Sequence, residues 1–182
     1  MCDGEVEETA VSSENLPKYC NYFKNLLVEE LALEPDYTHL HYGKCAVIGR
    51  LSAISDYIKL ENVTVPHFPS ECKLPIGVVS LLLLNFSYEN SADDALSPGC
   101  YCIVRGEVVL YNVQKPNQLP ITSLDLHHKL NLFGDKEEAR AQLLQQVLKT
   151  YKPAINVWHS RRIDQPEELI QHRLEIRALV TQ

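Results

Sequence analysis

The stretch from Gly43 to Val65, GKCAVIGRLSAISDYIKLENVTV, decides the fold. It contains two runs rich in β-forming residues, separated by the turn-forming pair Ser55-Asp56. Gly49 interrupts the first run, and a glycine inside a strand pattern indicates a bulge or a sharp bend. A long strand that bends at a glycine and pairs with its neighbour is how a small, strongly curved barrel begins. The stretch therefore predicts the first hairpin of such a barrel, with a hairpin of some other small β domain as the alternative.

Three more strands are predicted downstream of this hairpin. The run from Ile76 to Phe86 is nearly all apolar, which is typical of a strand buried on both sides. Gly99 to Val113 is predicted to be a second long strand, bent at Gly106, and Ile121 to Leu130 to be the last one. Five strands with two long bent members fit the OB fold, a five-stranded barrel.

Helices are predicted on both sides of the strands. Asn15 can cap an N-terminal helix, Pro17 suits its first turn, and Pro35 ends it. An amphipathic helix is predicted from Lys136 to Tyr151, and a tail helix from Gln165 to Val180. The expected organisation is an acidic flexible N-terminus (1–14), an N-terminal helix (15–34), an OB fold with its C-terminal helix (36–151), and a linker with the tail helix (152–182).

The net charge of −7 is unevenly distributed along the chain. Residues 1–35 hold eight acidic and two basic residues, whereas residues 36–134 hold nine and seven. An acidic N-terminus is not a secretory or mitochondrial signal, and no apolar run reaches the roughly 18 residues of a membrane span. The expected compartment is the cytoplasm or the nucleus. A strong autonomous nucleic-acid binder would carry a basic face, which a nearly neutral barrel does not predict.

The sequence gives little support to enzyme chemistry. It contains no G-x-S-x-G, phosphate-loop or H-E-x-x-H motif. His39, His41 and the pair His127-His128 are the best metal candidates, but no carboxylate or cysteine stands at a recognisable ligand spacing. Cys100 and Cys102 would share one face of a strand as reduced core thiols. We therefore expect a protein without catalytic residues, cofactor or metal.

Nucleic-acid contact is predicted for a set of basic residues on the barrel, with tyrosines as stacking platforms. Binding of single strands by OB folds combines a basic groove with aromatic stacking. The alternative is an ordinary solvated face, because tyrosine is common in strands and the basic residues are scattered. The basic candidates are Lys44, Arg50, Lys59, Arg105 and Lys115, and the tyrosines are Tyr57, Tyr101 and Tyr111.

Two motifs carry a family resemblance over residues 43–151. Gly49-Arg50-Leu51 would close the first strand, and the pattern GCYCIVRGE from Gly99 would open the fourth. They resemble the small OB-fold subunits of complexes that guard single-stranded DNA: the Ten subunit of the telomeric Ctc–Stn–Ten complex and the small subunit of replication protein A. The N-terminal helix, the polar loop at 87–98 and the tail helix depart from these families. Such departures suit a diverged telomere-capping subunit, such as one of the fly terminin complex.

The resemblance implies a subunit that protects chromosome ends or single-stranded DNA at the telomere in the nucleus. It would assemble with an Stn-like or replication-protein-A-like partner and other telomere-capping proteins, would contact DNA only inside the complex, and would not bind a membrane. An OB-fold adaptor or an RNA-binding module unrelated to telomeres is the alternative.

In the resembling families the C-terminal helices of neighbouring subunits pair. The broad apolar surface of the helix at 136–151 suits contact with both barrel and partner, whereas a helix that packs only on its own barrel is the alternative. The predicted partner-binding residues are Leu143, Leu144, Val147, Leu148 and Tyr151.

Overall fold

The computed structural model describes residues 22–33, 37, 39–54, 57–63, 77, 79–88 and 96–180, with side chains to residue 176. The strands of this part are β1 (Lys24–Leu27), β2 (Lys44–Ile54), β3 (Tyr57–Glu61), β4 (Ser80–Leu84), β5 (Tyr101–Tyr111), β6 (Ile121–Thr122) and β7 (Lys152–Arg162). The helices are α1 (Val28–Leu33), α2 (Ser123–Asn131), α3 (Glu137–Thr150) and α4 (Pro166–Val180). A short 3₁₀ turn at His41–Gly43 precedes β2.

Five of the strands form a ring within one mixed sheet. Antiparallel pairs join β2 to β3, β3 to β4, β7 to β5 and β5 back to β2, and a parallel pair joins β4 to β7. Two short strands lie outside the ring, β1 parallel to β2 and β6 antiparallel to β5. The ring closes through the pairing of β2 with β5, because β2 pairs with β3 along its other part.

Two glycines allow close approaches in the ring. The pairing of β2 passes from β5 to β3 at Arg50, directly after Gly49. A Cβ atom on Gly49 would lie 2.5 Å from Cγ of Leu60, so a side chain does not fit there. A Cβ on Gly106 would overlap the backbone carbonyl oxygen of Asn156. Both positions therefore require glycine for space rather than for an unusual φ.

A bulge interrupts the pairing of β5 with β7. Arg105 lies opposite His159 and Gly106 lies opposite Val157, so Trp158 is an extra residue of β7. The sequence predicted an irregularity at Gly106, and the structure confirms it while placing the extra residue in the partner strand. Bulges change the direction in which a side chain points, and the side chain of this one is that of Trp158.

The interior of the ring is filled by alternate residues of its strands. Cys45, Val47 and Leu51 of β2 are fully buried, as is the even-numbered set of β5 that begins with Cys102 and Val104. This period of two is what a pleated strand with one face on the core requires. Burial raises the pKa of Cys45 to about 12, so this thiol stays protonated.

Helix α4 packs against the outside of the ring. Leu169 of α4 joins Ile48 of β2 and Val63 in a second apolar cluster. Its next turn is held by polar groups, because Arg173 forms a buried ion pair with Glu29 of α1 at 3.5 Å. His172 Nε2 lies 3.2 Å from the carbonyl oxygen of Leu26, and burial lowers the pKa of this imidazole.

Several predicted elements agree with the structure. The hairpin at 43–65 corresponds to β2 and β3, the apolar run contains β4, and the second long strand is β5. The two amphipathic helices match α3 and α4 to within one residue at each end. A set of five strands forms a ring as expected, although its fifth member was wrongly assigned.

The predicted last strand at 121–130 is wrong beyond its first two residues. Thr122 ends β6 and caps α2, because its hydroxyl accepts from the N–H of Asp125 while the Asp125 carboxylate accepts from the N–H of Thr122. Leu126 and Leu130 then stand one helical turn apart and are both buried. The helical spacing of these leucines and the capping box therefore give a helix where a strand was predicted.

The predicted linker at 152–164 is also wrong, because it contains the eleven-residue strand β7. Pro153 suggested a break, but it stands at the second position of the strand, where a proline is tolerated. Ile155 and Val157 follow at alternate positions, and Ile155 is fully buried in the ring. The fold thus extends beyond residue 151 and needs β7 to close.

The predicted N-terminal helix at 15–34 is corrected in part, since 15–21 lie outside the described residues. Residues Lys24–Leu27 form β1, and a helix covers only Val28–Leu33. Leu26 lies opposite Val47 of β2 and is buried in the core. The apolar spacing that fitted one long helix also fits a strand followed by one helical turn and a half.

We predict that replacing Ile155 with alanine lowers the free energy of unfolding by about 2–4 kcal/mol, because a fully buried side chain is truncated in the core. Lys152→Ala in the same strand is the matched control, since Lys152 is exposed and its replacement should stay within about 0.5 kcal/mol. Urea unfolding followed by circular dichroism measures both. Equal, negligible effects would mean that this segment is a linker after all.

Candidate nucleic-acid and partner interfaces

Two of the predicted basic residues meet two aromatic rings on the outside of the sheet. Lys44 Nζ lies 5.9 Å from the ring centroids of both Phe23 and Trp158. The guanidinium carbon of Arg105 lies 6.0 Å from the Phe23 centroid, and the two rings meet edge to face at 5.9 Å. These distances are within the range of cation–π attraction. We call Phe23, Lys44, Arg105 and Trp158 the aromatic–basic cluster.

Four strands bring the aromatic–basic cluster together. Lys44 is the first residue of β2, Arg105 lies in the middle of β5, and Phe23 directly precedes β1. Trp158 is the extra residue of the β7 bulge. Trp158 is 50% exposed and Arg105 is also exposed, so a ligand can reach the cluster from solvent.

The sequence predicted the two cations of this cluster but not its aromatic residues. Phe23 lies in the segment that was predicted as the N-terminal helix, and Trp158 in the segment that was predicted as a linker. The one signal for Trp158 was that it is the single tryptophan of the chain, in a segment that was expected to be solvated. Because a tryptophan rarely remains exposed without a reason, it could have been flagged.

The other predicted basic residues lie elsewhere. Arg50 forms an ion pair with Glu61 across the β2–β3 pair, with Nη2 at 2.7 Å and Nε at 3.1 Å from Oε2. The Arg50 guanidinium thereby lowers the pKa of the Glu61 carboxyl. Lys59 is two residues from Glu61 on the same strand, and Lys115 stands in an exposed turn that is held by Asn112. Of the five predicted basic residues, Lys44 and Arg105 are the two that contact a common aromatic ring.

Two of the three predicted stacking tyrosines are packed into the protein. Tyr111 is buried in a small apolar cluster with Leu82 and Val109, and Tyr57 packs against it. Burial raises the pKa of Tyr111. Tyr101 remains at the surface, opposite Arg50 in the register of β5 and β2. Tyr101 is thus the one member of this predicted trio that the structure leaves exposed.

Helix α3 covers the core with half-buried residues. Its predicted partner-binding residues all pack against the main core, yet no residue of α3 is buried. These residues are Leu143, Leu144, Val147, Leu148 and Tyr151. The Tyr151 hydroxyl accepts a hydrogen bond of 2.7 Å from Nε2 of Gln118 in the loop before β6. The apolar side of α3 therefore touches the ring and keeps surface in reach of a partner.

Three of the four histidine candidates for a metal site line a pocket of about 440 Å³. His39, His41 and His127 line it together with Tyr42. Tyr42 has a left-handed backbone with φ of 51°, which is uncommon for a bulky residue. Among the described residues, no three histidine, cysteine or acidic side chains are arranged to hold a metal ion. The described part also contains no helix of the length and apolarity that a membrane crossing requires.

Comparison with known proteins identifies the family. A family model described as the Modigliani telomere protection protein matches residues 21–180. The chain is 46% identical over 169 residues to the protein modigliani of Drosophila melanogaster, an alignment that covers 93% of this chain and 95% of that protein. The chain belongs to the Modigliani family of telomere protection proteins. This membership places it among proteins of the chromosome end.

We predict that Arg50→Gln destabilises the protein at pH 7 by about 1 kcal/mol or less, because Arg50 is 39% exposed and its ion pair is partly screened. The pKa of Glu61 is lowered in the folded state, so this stabilisation is complete above the unfolded pKa of about 4.3. This stabilisation is lost as the pH falls through the pKa that Glu61 has in the folded state.

Thermal unfolding of the unmodified protein and of Arg50→Gln at pH 7 and pH 3 tests this prediction. The difference in stability between the two should shrink at low pH, because Glu61 then takes up a proton in both proteins. A difference that is independent of pH would assign the stabilising effect of Arg50 to packing rather than to the ion pair.

Proposed function

We propose that the chain is a non-enzymatic OB-fold subunit of a nuclear complex that caps telomeres. The observation that carries this proposal is membership of a telomere protection family over residues 21–180. The five-stranded ring supports the OB assignment, because the OB fold is a five-stranded, partly open barrel. Its strands would be β2, β3, β4, β5 and β7, with α2 and α3 inserted between the last two.

We propose further that the chain acts mainly through assembly with an Stn-like or replication-protein-A-like OB-fold subunit and other telomere-capping proteins. The support is the half-buried apolar side of α3, which a single ring does not cover. Leu119, next in sequence to the Gln118 that bonds Tyr151, is 85% exposed. Apolar surface of this kind on a soluble protein marks a site of interaction.

Single-stranded DNA would be bound tightly only within this complex, and the isolated chain would bind it weakly. The region that contains most of the ring is almost neutral, so it lacks the basic face that autonomous binding requires. The five basic residues, Lys44, Arg50, Lys59, Arg105 and Lys115, remain the proposed contacts. Arg50 is already paired with Glu61, whereas Lys44 and Arg105 converge on one surface. These two are therefore the first to test.

We predict that Leu144→Glu, Leu148→Glu and Tyr151→Glu each abolish co-purification with the partner subunit. A charge at the centre of an apolar interface costs several kcal/mol, since it must be desolvated without a counter-charge. Gln145→Glu on the exposed side of α3 is the matched control and should leave the complex intact. Affinity purification followed by mass spectrometry identifies the partner and its stoichiometry.

Circular dichroism must show that each variant keeps its strands, because the same residues touch the core. Stoichiometric co-purification of folded Leu148→Glu would exclude α3 as the docking element. Recovery of the chain with RNA-processing proteins, and with no telomeric subunit, would instead support an adaptor or RNA-binding role.

A further inference from the structure

We propose that the aromatic–basic cluster is a stacking site for the bases of single-stranded DNA, with Trp158 as the platform and Lys44 and Arg105 as the phosphate contacts. The inference rests on the proposed function in one respect, namely that the chain acts at DNA ends. It goes further by naming the surface and the residue on which a base would stack.

The geometry provides what a single strand needs. Half of Trp158 is open to solvent, and two cations lie within 6.0 Å of the aromatic pair. Single-strand binding combines aromatic stacking with basic contacts that follow the backbone. In a duplex the faces of the bases are already stacked on one another, so an exposed indole would find no partner. The cluster therefore favours an unpaired strand.

The bulge is the second observation that points to a ligand. Trp158 is the unpaired residue between His159 and Val157 in the pairing with β5. Bulges are found next to functional sites, where they redirect a side chain. Without this extra residue, side chains would alternate between the two faces of the sheet along β7 with no interruption at this point.

The cluster is more than an attachment for β1. That strand is already fixed by the buried Leu26, by the contact of His172 with the carbonyl of Leu26, and by a bond of 2.6 Å between Asn25 and Glu175. An attachment alone would be served better by a buried aromatic than by one that is half in water. The exposed area of Trp158 is thus left for another molecule.

Acidic neighbours keep the expected affinity modest. Glu107 lies opposite Lys44 in the register, and burial together with Asp125 raises the pKa of its carboxyl. On the other side, Arg161 and Arg162 are paired with Glu168 and Asp164. The net positive potential at the cluster is therefore weak, and base stacking must supply much of the binding free energy.

The single tryptophan of the chain makes the test direct. The full chain is titrated with oligo(dT) at low ionic strength while the tryptophan emission is recorded. Stacking of a base on Trp158 should quench this emission. The apparent affinity should fall as salt is added, because the basic side chains that neutralise phosphates then compete with the ions of the salt. A self-complementary duplex of equal length should quench little, and oligo(rU) serves as the RNA arm.

Variants separate stacking from charge. Trp158→Leu should weaken binding of fluorescently labelled oligo(dT) by about tenfold or more, measured by anisotropy, whereas Trp158→Phe should keep part of it. Lys44→Glu and Arg105→Glu should each weaken binding and flatten the salt dependence. Lys136→Glu is the matched control, because Lys136 is exposed just before α3 and belongs neither to the cluster nor to the proposed DNA contacts. Circular dichroism confirms that each variant is folded.

Absence of quenching at low salt would overturn the proposal, as would an equal loss of binding in Lys136→Glu. Tighter binding of oligo(rU) than of oligo(dT) would overturn the assignment to DNA, and equal quenching by the duplex would overturn the assignment to single strands. The titration needs no partner subunit, so its failure is distinct from failure of α3 to dock in the co-purification experiment.

Discussion

The structure depends on the close approach of β5 and β7 at Gly106. Any side chain there would collide with the backbone of Asn156, so the two strands could not pair along their length. Since β5 also pairs with β2, this contact joins the last ring strand to the first hairpin. The bulge at Trp158 follows directly after it. One glycine thus allows β5 and β7 to pair where the ring closes, and the bulge with the exposed tryptophan lies beside it.

The sequence predicted those elements whose local signals and tertiary role agree. β2 and β5 were predicted because their apolar alternation and internal glycines are strong, and α3 and α4 because their apolar spacing is helical. β7 was missed because Pro153 and the polar run after Val157 resemble a linker. What stabilises β7 is pairing with β5 and β4, which are distant in the sequence. Long-range pairing of this kind cannot be derived from a local pattern.

The same limit explains the candidate sites. Basic residues of the strands could be named, but their grouping depends on register, which places Lys44 and Arg105 together and leaves Arg50 beside Glu61. Phe23 and Trp158 enter the cluster from two segments whose secondary structure was assigned wrongly. Helix α3 was easier to predict, because its breadth of apolar surface is a property of one continuous segment.

The aromatic–basic cluster also depends on the two ends of the described chain. Phe23 is held in place by β1, and β1 is fixed by α4 through His172 and the neighbouring buried ion pair of Arg173 with Glu29. A buried pair of this kind adds little net stability, but loss of one partner is costly because it leaves an uncompensated charge. Such an ion pair therefore fixes one arrangement of α4 over the sheet and adds little to the net stability of the fold. Residues before the ring and after it must both be present for Phe23 and Trp158 to meet, so a ring that lacks either end would retain its cations and lose its aromatic pair.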